Sequence, residues 1–196
     1  MKNTDTMKSV AKARREREKF ATRKRILDKA LLLAQKEGWQ SVSIRKIASA
    51  IEYTPPVVYE YFESKEQIFT ALSSDGFALF QQQCENAVAV AVHAREAIMN
   101  ISLAMMRFAD EYPQYYQVMF NLEGVVCKNE KSLNAAFIKN ILREISPDSD
   151  ADNLFLNWWA IVHGFVNICM TDLIHLPKKQ KEDFLTTFIQ RFIRSI

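Results

Sequence analysis

SIRKIASAIEYTPPVVYEYF, residues 43–62, reads as two short helices with a tight turn between them. Ser43 is suited to an N-cap, because its hydroxyl can accept an otherwise orphaned amide of the first turn. Ile44, Ile47, Ala48 and Ile51 then recur at helical spacing and give one apolar face. Thr54 stands where a second helix would be capped, and Pro55 falls on its first position, where a missing N–H removes no bond. Val58, Tyr61 and Phe62 return to the inner face of that second helix. Two such helices form a helix-turn-helix, the unit that lays its second helix in the major groove of DNA.

Charge upstream of this motif fits the same partner. The chain of 196 residues has a net charge of +3, but the balance is uneven. Residues 1–46 hold fourteen Lys/Arg against five Asp/Glu, a net of +9, whereas residues 47–196 hold twelve against eighteen, a net of −6. A basic head on an acidic body is the electrostatic footprint of a nucleic-acid binder. A merely solubilising basic tail is the plain alternative, and the adjacent helix-turn-helix argues against it.

Four glycines and five prolines are few, so long uninterrupted helices are expected. No stretch approaches the roughly 20 apolar residues that span a bilayer, and residues 1–20 are too polar for a signal peptide. Cys84, Cys127 and Cys169 match neither a disulfide framework nor a zinc motif, and a cytoplasmic protein with buried structural thiols is the expectation. His93, His163 and His175 show no metal-binding spacing, so neither metal nor cofactor is expected.

The pattern predicts an all-α chain of about nine helices. Residues 1–19 read as a basic, flexible arm, 20–72 as the DNA-binding head and 73–196 as a helical body for ligand binding and dimerisation. Helices are expected at Phe20–Glu37 with Gly38 as C-cap, over the two motif helices, and from Lys65 to about Val92 behind a Ser64 cap. Further helices are expected at Arg95–Glu111, Gln114–Leu122, Glu130–Glu144, Asp152–Leu176 (stopped by Pro177) and Lys178–Ile196. The basic run from Lys12 to Lys19, with Arg23, Lys24 and Arg25, can contact phosphates or enter a narrow minor groove.

Residues 25–72 resemble the N-terminal domain of the TetR family of transcriptional repressors. Ile26, Ala30, Leu33, Gly38, Ile44, Ile47, Ala48, the Tyr59-x-Tyr61-Phe62 trio and Ser64-Lys65-Glu66 carry the likeness in one register. Further on, residues 113–120 (PQYYQVMF) and 159–164 (WAIVHG) resemble the subgroup with a Trp…His-Gly ligand-binding body. The resemblance implies DNA contacts from Ser43, Arg45, Thr54, Pro55, Pro56, Val57, Tyr59, Tyr61, Lys65 and Arg23. Tyr59 and Lys65 match phosphate-binding positions. Where the family commonly has a polar or basic residue, Gly, and Thr or Ser, this chain has Pro55, Pro56 and Val57. None can hydrogen-bond a base through its side chain, so thymine methyls are what they can read, with Arg45 and Thr54 supplying polar discrimination. Glu52 replaces the glycine of the turn and must accept a left-handed or strained backbone.

In the body, Met105, Phe108, Tyr112, Tyr116, Phe120, Trp159, His163 and Asn167 form a soft aromatic set with sparse polar groups, suited to a small apolar or aromatic effector. A plain core is the competing reading for each of them. Arg107, Asn167 and His163 are the candidate polar anchors. Apolar faces on the last two helices, with Trp158, Ile161, Phe165, Phe188 and Phe192, exceed what one small core can bury; the resemblance implies a homodimer through them. The reading is a repressor on a palindromic operator, not an enzyme. Two rivals remain at this level: a low-specificity architectural DNA binder, and a helical enzyme using His163 as base, for which no nucleophile, base and orienting group can be assembled.

Overall fold

The computed structural model describes residues 2–125, 134–171 and 174–196, with side chains from residue 12 onward. Among these the elements are all helical: α1 (Lys2–Glu37), a single 3-10 turn (Trp39–Ser41), α2 (Ile44–Ala50), α3 (Pro55–Tyr59), α4 (Lys65–Ala89), α5 (Ala94–Glu111), α6 (Pro113–Met119), α7 (Ala135–Ile145), α8 (Ala151–Met170) and α9 (Lys178–Arg194). The expected all-α architecture stands.

Side chains at the ends decide where most helices begin. The Ser43 hydroxyl accepts the Lys46 amide at 3.3 Å and the Ser64 hydroxyl accepts that of Gln67 at 3.3 Å. His93 Nδ1 caps α5 through the Glu96 amide at 3.1 Å, and Asn134 Oδ1 caps α7 through that of Phe137. The expected start of this seventh helix at Glu130 lies outside the described residues.

Two boundaries differ from expectation. The arm read as flexible is the first half of α1, which is helical from Lys2. Residues 2–19 hold no Gly or Pro, and Arg14 donates to Glu18 one turn on at 2.7 Å. Residues 11–19 are all good helix formers, and with this i,i+4 pair they extend a helix whose second half is already anchored by packing. Helix α8 ends at Met170 rather than at Leu176. There Thr171 turns to extended backbone, its amide donating to Asn167 O and its hydroxyl to Ile168 O at 2.9 Å. A threonine that satisfies the last carbonyls ends this helix, and Pro177 instead precedes α9.

Two hydrophobic clusters divide the chain, and α4 runs through both. The head cluster holds Ile26, Ala30, Trp39, Ile47, Val58, Phe62, Ile68 and Leu72; the body cluster begins at Phe77 and takes in Phe80, Met105, Phe108, Tyr116, Trp158, Val162, Leu185 and Ile189. Val118, in α6, and Val125, beyond it, belong to the head cluster, whereas Tyr116 and Met119 of α6 belong to the body cluster. Ion pairs Arg107–Glu182 and Lys181–Asp110 fasten α5 to α9.

In the body core the Trp158 indole donates to the Ser102 hydroxyl at 2.9 Å, and that hydroxyl donates to Ile98 O at 2.6 Å. Both side chains are fully buried. Ser102→Ala would leave the indole N–H without an acceptor. It should lower unfolding free energy by about 1–3 kcal/mol, seen in urea as a lower midpoint with an unchanged slope at fixed protein concentration.

Candidate nucleic-acid interface and effector site

The turn of the helix-turn-helix is a Schellman motif: the Tyr53 amide donates to Ala48 O at 2.9 Å and the Glu52 amide to Ser49 O at 3.2 Å. The motif needs a left-handed residue after the helix, and Glu52 supplies it at φ 62°. Arg25 clasps this turn from α1, donating through Nη2 to Ile51 O at 3.2 Å and standing 5.4 Å over the Tyr53 ring. Sequence reading had grouped Arg25 with the phosphate-contacting arm; the structure gives it a turn to hold. Lys24 is likewise paired, with Asp28 at 2.8 Å.

Thr54 occupies the N-cap position of α3, but its side chain makes no capping bond. An N-cap hydroxyl serves the amide two or three residues on. Here the second helical position is Pro56, which has no N–H, and the Val57 amide is already bound to Thr54 O at 3.0 Å. The double proline therefore leaves an exposed hydroxyl at the tip of the helix, next to exposed Pro56 and half-buried Pro55 and Val57. Arg45 and Tyr59 are exposed, while Ser43, Tyr61 and Lys65 are half-buried. Ser43 is occupied as a cap. The Lys65 ammonium lies 5.4 Å from the Phe69 ring at the N-terminus of α4, and the Arg23 guanidinium lies 4.9 Å from the Phe62 ring. The predicted contacts thus fall on and beside α2 and α3, on the middle of α1 and at the start of α4, and what they offer is a polar and aromatic rim around an apolar tip.

In the body, the structure brings five of the eight predicted effector residues into one constellation. Trp159 stacks on His163, with ring centroids 4.7 Å apart and planes 9° apart, and Phe120 meets both, at 5.3 and 4.7 Å. The Tyr116 hydroxyl lies 2.6 Å from His163 Nδ1, and the Asn167 carboxamide lies 3.0 Å from Nε2. Burial pushes the Tyr116 hydroxyl well above the usual phenol range and lowers the His163 pKa. The Asn167 amide N–H donates to Nε2, so the neutral ring carries its proton on Nδ1 and donates it to the Tyr116 oxygen. Phe155 extends the stack beyond Trp159 at 14° and 6.2 Å, a half-buried neighbour that sequence reading missed although the four-residue spacing 155, 159, 163 was available.

Met105 and Phe108 sit differently. Both are fully buried, with Phe108 between Phe80 at 5.3 Å and Tyr112 at 5.4 Å. They belong to the core here, as the plain reading had it. Arg107 is an exposed partner of Glu182 and anchors nothing in this constellation. A groove of about 880 Å³ runs along α8 and α9, lined by Ile161, Gly164, Phe165, Ile168, Phe188 and Arg191 among others; none of the predicted effector residues lines it. Cys84 is buried, its thiol pushed up to about 12 by desolvation. Cys127 lies outside the described residues.

The capped helix-turn-helix is a DNA-binding unit, carried here on a helical body to which α4 and α6 join it. Residues 26–72 match the family described as Bacterial regulatory proteins, tetR family. The HTH-type transcriptional repressor NicS of Pseudomonas putida is 24% identical over 152 residues, spanning 75% of this chain and 72% of that protein. Two solved structures share the fold. A TetR family transcriptional regulator, PfmR from Thermus thermophilus, superposes with a TM-score of 0.62 at 19% identity, over 86% of this chain and 97% of its own. A protein of unknown function from Rhodococcus sp. RHA1 gives 0.72 at 19% identity, over 89% and 94%. The family match covers residues 26–72, the helix-turn-helix head, and the solved structures show that the chain as a whole shares their fold.

Two substitutions test this geometry. Glu52→Gly should raise the melting temperature of the free protein, since a left-handed residue other than glycine costs about 1 kcal/mol, more than the entropy glycine adds to the unfolded chain. For His163 the sign follows from its lowered pKa. Below the ordinary value of 6.5 the unfolded chain binds a proton that the folded one refuses, so stability falls as pH drops through 6.5 toward the folded-state pKa. In His163→Phe that segment of the stability–pH curve should flatten, whatever the variant's absolute stability.

Proposed function

We propose that this protein is a homodimeric repressor that binds a palindromic operator and is released from it by a small apolar or aromatic effector. The observation that carries the release reading is the double allegiance of α6. In two turns, Tyr116 bonds His163 in the body, Gln117 Oε1 accepts the Trp39 indole N–H of the head at 2.9 Å, and Val118 is buried in the head core. A ligand that rearranges the Trp159–His163–Tyr116 group moves a helix the head is built on. The ligand has to favour the DNA-incompetent arrangement, and by linkage DNA weakens its binding by the same factor.

In this reading residues 1–19 and 20–72 serve DNA and residues 73–196 serve effector and partner, in a cytoplasmic protein without a cofactor. The α8–α9 groove, with Ile168 exposed in its lining and Phe184 exposed one turn from Phe188, supports an isologous dimer. Such a two-fold would set the recognition helices one DNA turn apart, about 34–36 Å.

The test starts with operator selection from random duplexes, followed by titration of the selected site and a shuffled copy at near-physiological salt. Tight, dimer-stoichiometric binding to the selected site alone is expected. Equal binding to both duplexes would favour an architectural role instead. Because the Thr54 hydroxyl caps nothing, Thr54→Val should leave folding stability unchanged and weaken operator binding about 5- to 50-fold, the worth of a direct base contact. Trp159→Ala should spare operator affinity and abolish release by an effector found in a screen of aromatic compounds.

A further inference from the structure

Positions 12, 15, 19, 23, 26, 30 and 34 advance by three or four residues and so lie along one face of α1. At Ile26, Ala30 and Ala34 that face is buried in the head core; at Lys12, Arg15, Lys19 and Arg23 it is cationic and exposed. The apolar seam of the head thus continues beyond the head as a row of positive charge, on the same side of the helix. Arg23 marks the junction, lying over Phe62 at the end of the recognition unit. The ion pairs of this region take other residues: Arg14 bonds Glu18 and Lys24 bonds Asp28, and no ion pair among the described residues engages Lys12, Arg15 or Lys19. Two exposed acids border the row: Glu16, one turn from Lys12 and Lys19, and Glu18, one turn from Arg15 and taken up by Arg14.

We infer that this row is a rigid phosphate-tracking surface that binds the duplex flanking the operator, without reading its sequence. The partner is duplex DNA by charge complementarity and by position, since the row faces the side on which α2 and α3 are packed. Eleven residues of helix at 1.5 Å each span about 17 Å, the length of about five base pairs. Long, flexible cations on a straight strut match a regular line of phosphates, whereas a groove-penetrating arm would need an extended chain. The inference rests on the DNA-binding reading of the head, and its test separates the two.

The full-length protein carrying Lys12→Ala, Arg15→Ala and Lys19→Ala together is compared with wild type on the selected operator and on a duplex of equal length lacking it. Each released phosphate contact contributes about 0.9 to the slope of log affinity against log salt. The triple variant should lose about 3–5 from the slope of a dimer, on both duplexes alike. Its footprint should shorten by about five base pairs at each end, and the ratio of operator to non-operator affinity should hold. Arg14→Ala with Arg17→Ala, on other faces, should leave the slope within about 1 of wild type, and Glu16→Pro, which breaks the strut while adding no negative charge, should shorten the footprint. An unchanged slope and footprint in the triple variant would overturn the inference while leaving the operator reading intact. So would an equal slope loss in the Arg14/Arg17 control (diffuse charge), a collapsed specificity ratio (base reading), or a full footprint in Glu16→Pro (a flexible arm suffices). Failure of wild type to prefer any selected duplex, with the slope loss still present, would instead sink the operator reading and leave the surface standing.

Discussion

Helix α6 cannot be assigned to either half of this molecule, and that constraint organises the rest. Consecutive residues serve different cores: Tyr116 is buried in the body, Val118 in the head, Met119 in the body again. Beyond its end, Asn121, Glu123 and Gly124 all take positive φ, and the chain returns Val125 to the head core. Left-handed backbone at non-glycine residues costs about 1 kcal/mol or more apiece, so the burial of Val125 and the contact of Gln40 with Glu123 O have to hold it in place. Gly76 on α4 admits this packing, because a Cβ there would stand 2.8 Å from Met119 Sδ and 3.0 Å from the Tyr115 ring. Head and body are therefore joined by a helix packed tightly against α4, not only by α4 itself.

That arrangement bears on how a signal would travel. A pathway claim needs an element whose position both sites bias, rather than mere proximity. Tyr116 gives α6 a directional bond to His163 and the Trp39–Gln117 bond gives it one to the head, from adjacent residues of the same helix. Packed cores rearrange between discrete states instead of deforming smoothly, so a small rotation here would be felt at Trp39 as a lost or kept bond.

Much of the head was legible in the sequence because caps and apolar spacing are local signals. Ser43 and Ser64 begin helices and Gly38 ends one where their chemistry says they should, and Glu52 takes the left-handed backbone that its position demanded. What escaped was non-local or negative. The clasp of Arg25 on Ile51 O spans 26 residues, and nothing in an arginine's neighbours announces it. Thr54 looked like a cap because the residue type is right; only the absence of an N–H at Pro56 and the prior engagement of Val57 remove that role. Arg107 and Phe108 are adjacent in sequence and face opposite ways, toward Glu182 and into the core, a distinction fixed by the placement of α9. The length of α1 was underread because low apolar content was taken for disorder, although helix propensity and helix burial are separate properties.

The composition of the DNA face sets a limit on how this regulator can discriminate. Phosphate contacts raise affinity for every duplex alike, so a cationic α1 increases occupancy without changing the ratio between sites. In the proposed reading the ratio comes from a narrow set: the exposed Thr54 hydroxyl, Arg45, and the apolar surface of Pro56 and Val57. Apolar contact recognises thymine methyls but is silent on hydrogen-bond patterns, so the positions opposite Pro56 and Val57 should tolerate few bases without being strictly fixed. A protein built this way depends on two half-sites read together, since each half alone carries few discriminating contacts. In the proposed dimer, contact through α8 and α9 is then as much a part of specificity as the recognition helix, and any event that changes the spacing of the two heads would remove the ratio before it removes the charge-driven binding.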